Sequence, residues 1–200
     1  AHGGGHVRDV ASYAAGRRTT GAIGIFYHHT DGKHPTGGLY RYDGYDFVNF
    51  KSRNGDGVNM PSNRISTMYA SSEGGIWCLL SGRPFLFDTR TCRFIDVMKD
   101  YEQQLGNYFY IRKMRVLSCS MTWLFAEDGT VLNLEDARPT QSIRQIATGE
   151  DANNVTVVCD SLGRSWVLTT KHTFLYHRTL KTFDQTFPRI VVSGRHVWLM

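Results

Sequence analysis

Asn63-Arg64-Ile65-Ser66-Thr67-Met68-Tyr69-Ala70 opens the stretch whose reading decides the fold. The turn Ser71-Ser72-Glu73-Gly74-Gly75 follows, then Ile76-Trp77-Cys78-Leu79-Leu80, Ser81-Gly82-Arg83 and Pro84-Phe85-Leu86-Phe87-Asp88. After a polar turn at 89–91 comes Cys92-Arg93-Phe94-Ile95-Asp96-Val97. Short apolar runs rich in aromatic and branched side chains, punctuated by Gly, Ser and Asp, are the pattern of strands joined by tight turns. The spacing predicts one antiparallel meander with strands near 64–70, 75–80, 84–88 and 93–97.

The pattern returns further along. Eight and nine places after Trp77 stand Phe85 and Leu86; after Trp123 the same offsets give Val131 and Leu132, and after Trp166 they give Phe174 and Leu175. Each tryptophan follows a turn of small or polar residues: Glu73-Gly74-Gly75, Ser118-Cys119-Ser120 and Asp160-Ser161-Leu162-Gly163. Glycine supplies the positive φ that tight hairpin turns need, and Asp or Ser closes such turns through its side chain. Ser193-Gly194-Arg195-His196-Val197-Trp198 starts one more copy. A period of about 40–50 residues with four strands per unit is the signature of β-propeller blades.

A lone four-stranded sheet has two faces and cannot bury apolar residues on both. Stacked blades can, so Ile76, Trp77 and Leu79 are all free to be apolar. Trp77, Trp123, Trp166 and Trp198 are therefore read as structural residues, packed between blades, in preference to platforms for sugar rings. The reading is all-β, a β-propeller of about four four-stranded antiparallel blades in an incomplete ring.

The remaining chain fits around these units. Gly37-Gly38-Leu39-Tyr40-Arg41-Tyr42-Asp43-Gly44-Tyr45-Asp46-Phe47-Val48-Asn49-Phe50 reads as the end of a blade, with an Asp-Gly hairpin turn between its last two strands. Residues 1–36 are poorly defined, at most half a blade, with one strand at most in 17–27; Ile25-Phe26-Tyr27 takes the place of Ile76-Trp77-Cys78. Whole blades are placed at 60–97, 108–136 and 154–184, and the start of another at 186–200. The polar stretches 51–63, 98–108 and 138–154 are read as connectors between blades. In a propeller such connectors share a face with the loops between second and third strands, and polar loops on a rigid scaffold are where binding concentrates.

Composition narrows the class. Forty-one per cent hydrophobic residues in a chain of 200 is ample for a core, and 20 glycines suit a turn-rich β protein. No run approaches the 18 or so apolar residues of a membrane-spanning helix. The net charge of +5 is scattered along the repeats, with Arg17-Arg18 the one arginine pair, so no nucleic-acid partner is expected from this segment. His2, His6, His28, His29 and His34 match no zinc spacing, and neither metal nor cofactor is expected. Cys78 and Cys159 lie inside strand runs, Cys92 and Cys119 at turn edges, and their spacing leaves any pairing open. The chain begins at Ala1 and stops inside what the repeat makes a second strand, so it reads as a fragment.

The units resemble the repeats of the two-component regulator propeller family. The likeness rests on Gly38-Leu39-Tyr40-Arg41-Tyr42-Asp43-Gly44-Tyr45-Asp46-Phe47, on Pro61-Ser62-Asn63-Arg64-Ile65-Ser66 leading to Gly74-Gly75-Ile76-Trp77, and on Cys159-Asp160-Ser161-Leu162-Gly163-Arg164-Ser165-Trp166. That family usually continues after the Trp with a small residue, Gly and Thr, where this chain has Cys78-Leu79-Leu80, Leu124-Phe125-Ala126 and Val167-Leu168-Thr169. The resemblance implies a seven-bladed ring completed by the rest of the parent propeller. It also implies a periplasmic location, a homodimeric parent and a hybrid sensor histidine kinase responding to oligosaccharides and controlling glycan-utilisation genes.

On this reading the segment is not an enzyme: catalysis is expected to be none, and the segment is expected to sense a ligand. Arg83, Tyr108, Lys171 and His172 are the candidate ligand-binding residues, as donors to sugar hydroxyls or carboxylates and, for Tyr108, as a stacking surface. Two other readings compete: a propeller lyase or glycosidase drawing on Glu127, Asp128, Lys171, His172 and Arg83, and a closed four-bladed protein-interaction module. One charged residue per loop is what a solvated turn looks like, which favours the non-catalytic reading.

Overall fold

The computed structural model describes residues 6–15, 19–30, 34–42, 45, 47–50, 60–62, 64–71, 74–117, 121–135, 143–186, 190–193 and 196–199, with side chains at 39, 40, 45 and 50 and within the stretches between 60 and 184. The fold is all-β, made of β-propeller blades. The first sheet holds β1 (His6–Ala15), β2 (Thr19–Thr30), β3 (His34–Tyr42) and β4 (Phe47–Phe50); the second holds β5 (Ile65–Ala70), β6 (Gly75–Leu80), β7 (Arg83–Asp88) and β8 (Arg93–Asp96). A short helix, α1 (Lys99–Leu105), follows. The third sheet is β9 (Ile111–Leu117), β10 (Met121–Ala126), β11 (Thr130–Glu135) and β12 (Arg144–Ala147). The fourth is β13 (Thr156–Cys159), β14 (Ser165–Leu168), β15 (Thr173–His177) and β16 (Thr182–Thr186), and β17 (Ile190–Ser193) pairs with β18 (His196–Leu199) in a two-stranded sheet. All pairings are antiparallel between strands adjacent in sequence, so each sheet is a simple meander.

The chain divides into two compact units, Ala1–Gln103 and Gln104–Met200. In the first, Met68, Ile76, Cys78, Leu80, Phe85 and Phe87 form one apolar face of the second sheet and pack with Leu39 and Phe50 of the first. Alternation does this: Ile76 faces Phe87 and Cys78 faces Phe85 across β6 and β7, so these side chains project to the same side. Phe50 meets Phe87 edge-on at 5.2 Å. Burial pushes the Cys78 thiol up to about 12, so it serves as a small apolar filler. Trp77, one residue out of phase, lies on the opposite face and is fully buried.

In the second unit Met121, Trp123, Phe125 and Val131 of the third sheet pack with Val157, Val167, Phe174 and Tyr176 of the fourth, and Ala152 and Val155 from the connector close the layer. Trp123 is fully buried, edge-on to Tyr176 at 5.7 Å. Trp123 thus packs in the layer between the third and fourth sheets.

The turn before Trp166 explains the repeat. Asp160 N donates to Arg164 O at 2.9 Å and Gly163 N to Asp160 O at 3.0 Å; before Trp77, Ser71 N donates to Gly75 O at 2.9 Å and Gly74 N to Ser71 O at 3.3 Å. Gly163 has φ +75° and Gly74 φ +82°, the left-handed region open to glycine. Asp160 adds side-chain bonds to its turn. Its carboxylate accepts from Leu162 N, Arg164 N, Arg164 Nε and the Trp166 indole N–H (3.0 Å). Desolvation pushes the Asp160 carboxyl up, and the hydrogen bonds from Trp166 and Arg164 outweigh it, holding it down at about 2. Trp166 is half-buried and lies under the Arg164 guanidinium at 5.3 Å.

The strands expected at 64–70, 75–80, 84–88 and 93–97 appear within a residue of those limits. Residues 6–30 hold β1 and β2, of which β2 alone enters 17–27, and these complete a four-stranded first sheet. Two readings need correction. The 98–108 connector contains α1, and the 138–154 connector contains β12, the outer strand of the third sheet. Trp198 falls in β18, its side chain outside the described ones, and Ser118-Cys119-Ser120, Asp43-Gly44 and most of 51–63 lie outside the described residues. So do His2 and Cys119; Cys78, Cys92 and Cys159 stand as thiols.

Candidate functional site

In a meander the connectors entering and leaving a sheet and the loop between its second and third strands emerge at the same end. That end carries the candidate residues in both units.

In the first unit the β6–β7 connection is Ser81-Gly82, both with positive φ (+48° and +79°), the signature of a two-residue I′ hairpin. Ser81 N donates to Arg64 O at 3.0 Å, and the Ser62 and Ser81 hydroxyls lie 2.8 Å apart, tying the loop to the incoming connector. Arg83 points at carboxylates. Its Nε donates to Asp96 Oδ2 at 2.8 Å and its Nη2 to Asp96 Oδ1 at 3.2 Å, while Nη1 lies 2.6 Å from Glu102 Oε2 on α1. The Arg83 and Glu102 side chains are only 18% and 9% exposed. Burial works against the guanidinium charge, yet the bonds to Asp96 and Glu102 outweigh it and raise the Arg83 pKa. Asp96 also accepts from Met98 N at 3.1 Å, so the triad fixes the entry to α1.

The second unit is built differently. Between β10 and β11, Asp128 Oδ1 accepts from Thr130 N at 2.9 Å and Gly129 takes φ +84°. Thr148, just beyond β12, donates from its N and Oγ1 to Gly129 O at 3.0 and 2.7 Å. A Cβ on Gly129 would sit 2.7 Å from Glu150 O, so the close approach needs glycine. Glu150 then reaches the β14–β15 loop. Its carboxylate accepts from Thr170 Oγ1 (2.7 Å), Thr170 N (2.9 Å) and Lys171 N (3.2 Å). The Thr170 hydroxyl above all holds the Glu150 carboxyl down at about 2. Thr169 closes the loop from inside, its Oγ1 accepting from His172 N at 2.8 Å.

Beneath the connector, Lys113 Nζ donates to Val155 O (2.7 Å) and Ala152 O (3.2 Å) and lies 4.6 Å from the Phe125 ring centroid; desolvation, then Arg115, lowers its pKa. Arg112 pairs with Glu127 and stands 5.4 Å over the Tyr110 ring, and Glu127 N donates to Tyr110 O at 2.9 Å.

Lys171 and His172 thus share one loop, both exposed, its backbone anchored by Glu150 and Thr169 and the His172 ring 6.1 Å from that of Phe174. Tyr108 is 60% exposed on the segment leading into β9, two residues before Tyr110. Arg83 belongs to the other unit and to an ion triad. Sequence reasoning missed Glu150, whose carboxylate sets the 169–172 loop; its only sequence signal is an acid among the polar residues 148–151. Among the described residues no group of His, Cys, Asp and Glu is arranged to hold a metal ion, and no helix is long and apolar enough to cross a membrane.

No family model and no curated protein matches the chain. Solved structures do. The extracellular domain of BT3049 from B. thetaiotaomicron, assigned to a hybrid two-component system, is similar over 91% of this chain and 30% of its own, at 14% identity and TM-score 0.52. The corresponding domain of BT4673 from the same organism is similar over 95% of this chain and 22% of its own, at 15% identity and TM-score 0.51. PorZ, a surface component of the type-IX secretion system of Porphyromonas gingivalis, is similar over 96% and 28%, at 13% identity and TM-score 0.51. The chain spans less than a third of the length of each. At these identities the likeness is one of fold.

Proposed function

We propose that this chain is a non-catalytic, ligand-sensing segment of a periplasmic two-component sensor, and that the parent protein is a hybrid histidine kinase of the two-component regulator propeller family. The ligand class is oligosaccharide, and the output is control of genes for glycan use. The observation that carries the reading is the loop end of the second unit. There Glu150, Gly129 and Thr169 anchor the backbone of the 127–130, 148–150 and 169–172 segments, so Lys171 and His172 are presented to solvent on a rigid base, and Tyr108 is exposed on the segment leading into β9. Amine, imidazole and phenol suit sugar hydroxyls, uronate or sulfate groups and a pyranose face. Two of the three structures described above are extracellular domains assigned to two-component systems, which supports the sensor reading. Arg83 has its guanidinium engaged by two carboxylates and acts in this account as a structural cation.

The test is a panel of neutral and acidic oligosaccharides screened against the complete periplasmic region. At least one saturable binder is expected, with no turnover of bound glycan. Cleavage of any panel member would replace the sensor reading with the enzymatic one.

A further inference from the structure

The layer between the third and fourth sheets is mostly apolar; the Ser165 hydroxyl meets Met121 Sδ at 3.9 Å and Lys113 Nζ lies over Phe125, but one further set of polar groups has no such engagement. Asn133 stands directly opposite Trp123 across β10 and β11, on the face that Met121, Phe125 and Val131 turn toward the fourth sheet. Residues opposite one another on one face of an antiparallel pair have Cβ atoms about 5 Å apart. The Asn133 side chain is fully buried, and neither its Nδ2 nor its Oδ1 has a hydrogen-bond partner among the described residues. The same holds for Trp123 Nε1 and for the hydroxyl of Tyr176, whose ring meets that of Trp123 edge-on from the fourth sheet. Four buried polar atoms without a hydrogen-bond partner among the described residues therefore sit on Trp123, its cross-strand neighbour Asn133 and its ring neighbour Tyr176. Phe183 stacks at 4.9 Å from Tyr176 and 6.1 Å from Trp123 and covers one side.

Buried polar groups in folded proteins are almost always paired, and where no protein partner is in reach an internal water supplies the bonds, typically about three per molecule. The set here is complementary to water: an indole donor, an amide donor and acceptor, and a hydroxyl that does either. We propose that this polar pocket is an internal water site. One molecule accepts from Trp123 Nε1–H and donates to Asn133 Oδ1 and Tyr176 Oη, and a second takes the Asn133 Nδ2–H. Such water would couple Trp123 and Asn133 of the third blade to Tyr176 of the fourth.

The choice of substitution makes the test two-sided. If water satisfies Asn133, Asn133→Leu strands the remaining donors and lowers the unfolding midpoint of the complete protein, by about 2–4 °C for a segment of this size. If Asn133 is unbridged, the same change removes an orphan amide and raises the midpoint. Should Asn133→Leu fail to fold, Tyr176→Phe removes a single oxygen and reads the same way: a fall supports the site, a rise overturns it. Diffraction from crystals of the complete protein should show ordered density within hydrogen-bond distance of all three side chains; a dry, collapsed layer there would also overturn the proposal.

Discussion

The two loops that join second to third strands, Ser81-Gly82 in the first unit and 169–172 in the second, occupy the same place in their blades and handle charge in opposite ways. In the first, a cation at the loop exit turns inward, gripped by Asp96 and Glu102, and holds the next connector down. In the second, a carboxylate from the preceding connector grips the loop backbone, leaving the lysine and histidine side chains outside. A basic residue in a propeller loop is therefore a weaker ligand candidate when carboxylates already engage its charge, as they do for Arg83. The deciding partner lies elsewhere in the sequence, 13 residues on in the case of Asp96.

The largest expected effect separates the two loops directly. Arg83→Ala leaves Asp96 and Glu102 partly buried without a cation and should cost about 3 kcal/mol, the lower end for breaking a buried pair. Lys171→Ala should change stability by no more than about 0.5 kcal/mol, as exposed substitutions do. Equal losses in denaturant unfolding would erase the contrast.

Gly129→Ala should cost slightly less, about 2–3 kcal/mol, from left-handed strain and the 2.7 Å approach to Glu150 O. It would loosen the 148–155 connector and the Glu150 clamp together. A neutral outcome in the same unfolding series would mean that the loop base is not rigid.

The smallest effect sharpens the comparison through pH. The Glu150 carboxyl is depressed from 4.5 to about 2 in the folded protein. A group with a lowered folded pKa contributes stability that is fully present above the unfolded value and lost as pH falls toward the folded one. Part of the stability should therefore disappear between about pH 4.5 and 2, and Glu150→Gln should flatten that stretch of the pH profile. An unchanged slope would remove Glu150 as the clamp.

Much of the fold is legible in the amino-acid sequence, because each central blade repeats an aromatic second strand after a glycine- or serine-marked turn. The outer strand β12 escapes because Arg144-Gln145-Ile146-Ala147 has little apolar content and half its residues face solvent. Helix α1 escapes because it is two turns long and buries a single residue, Glu102, whose reason for burial is Arg83 of another strand. At the site, Lys171 and His172 are readable as loop residues, whereas the engagement of Arg83 is not, since it depends on tertiary partners. Asp160 is within reach: it stands six residues before Trp166, as Ser71 does before Trp77, and the indole bond follows from that spacing.

The central claim is that the loop end of the second unit meets the ligand. The direct measurement is calorimetric titration of the complete periplasmic region with the tightest-binding oligosaccharide of the panel, wild type against Lys171→Ala, His172→Ala and the double variant. Loss of two charge-assisted contacts of about 1.5 kcal/mol each predicts affinity falling roughly tenfold in each single variant and further in the double, with folding intact. Undiminished affinity in the double variant would contradict the claim.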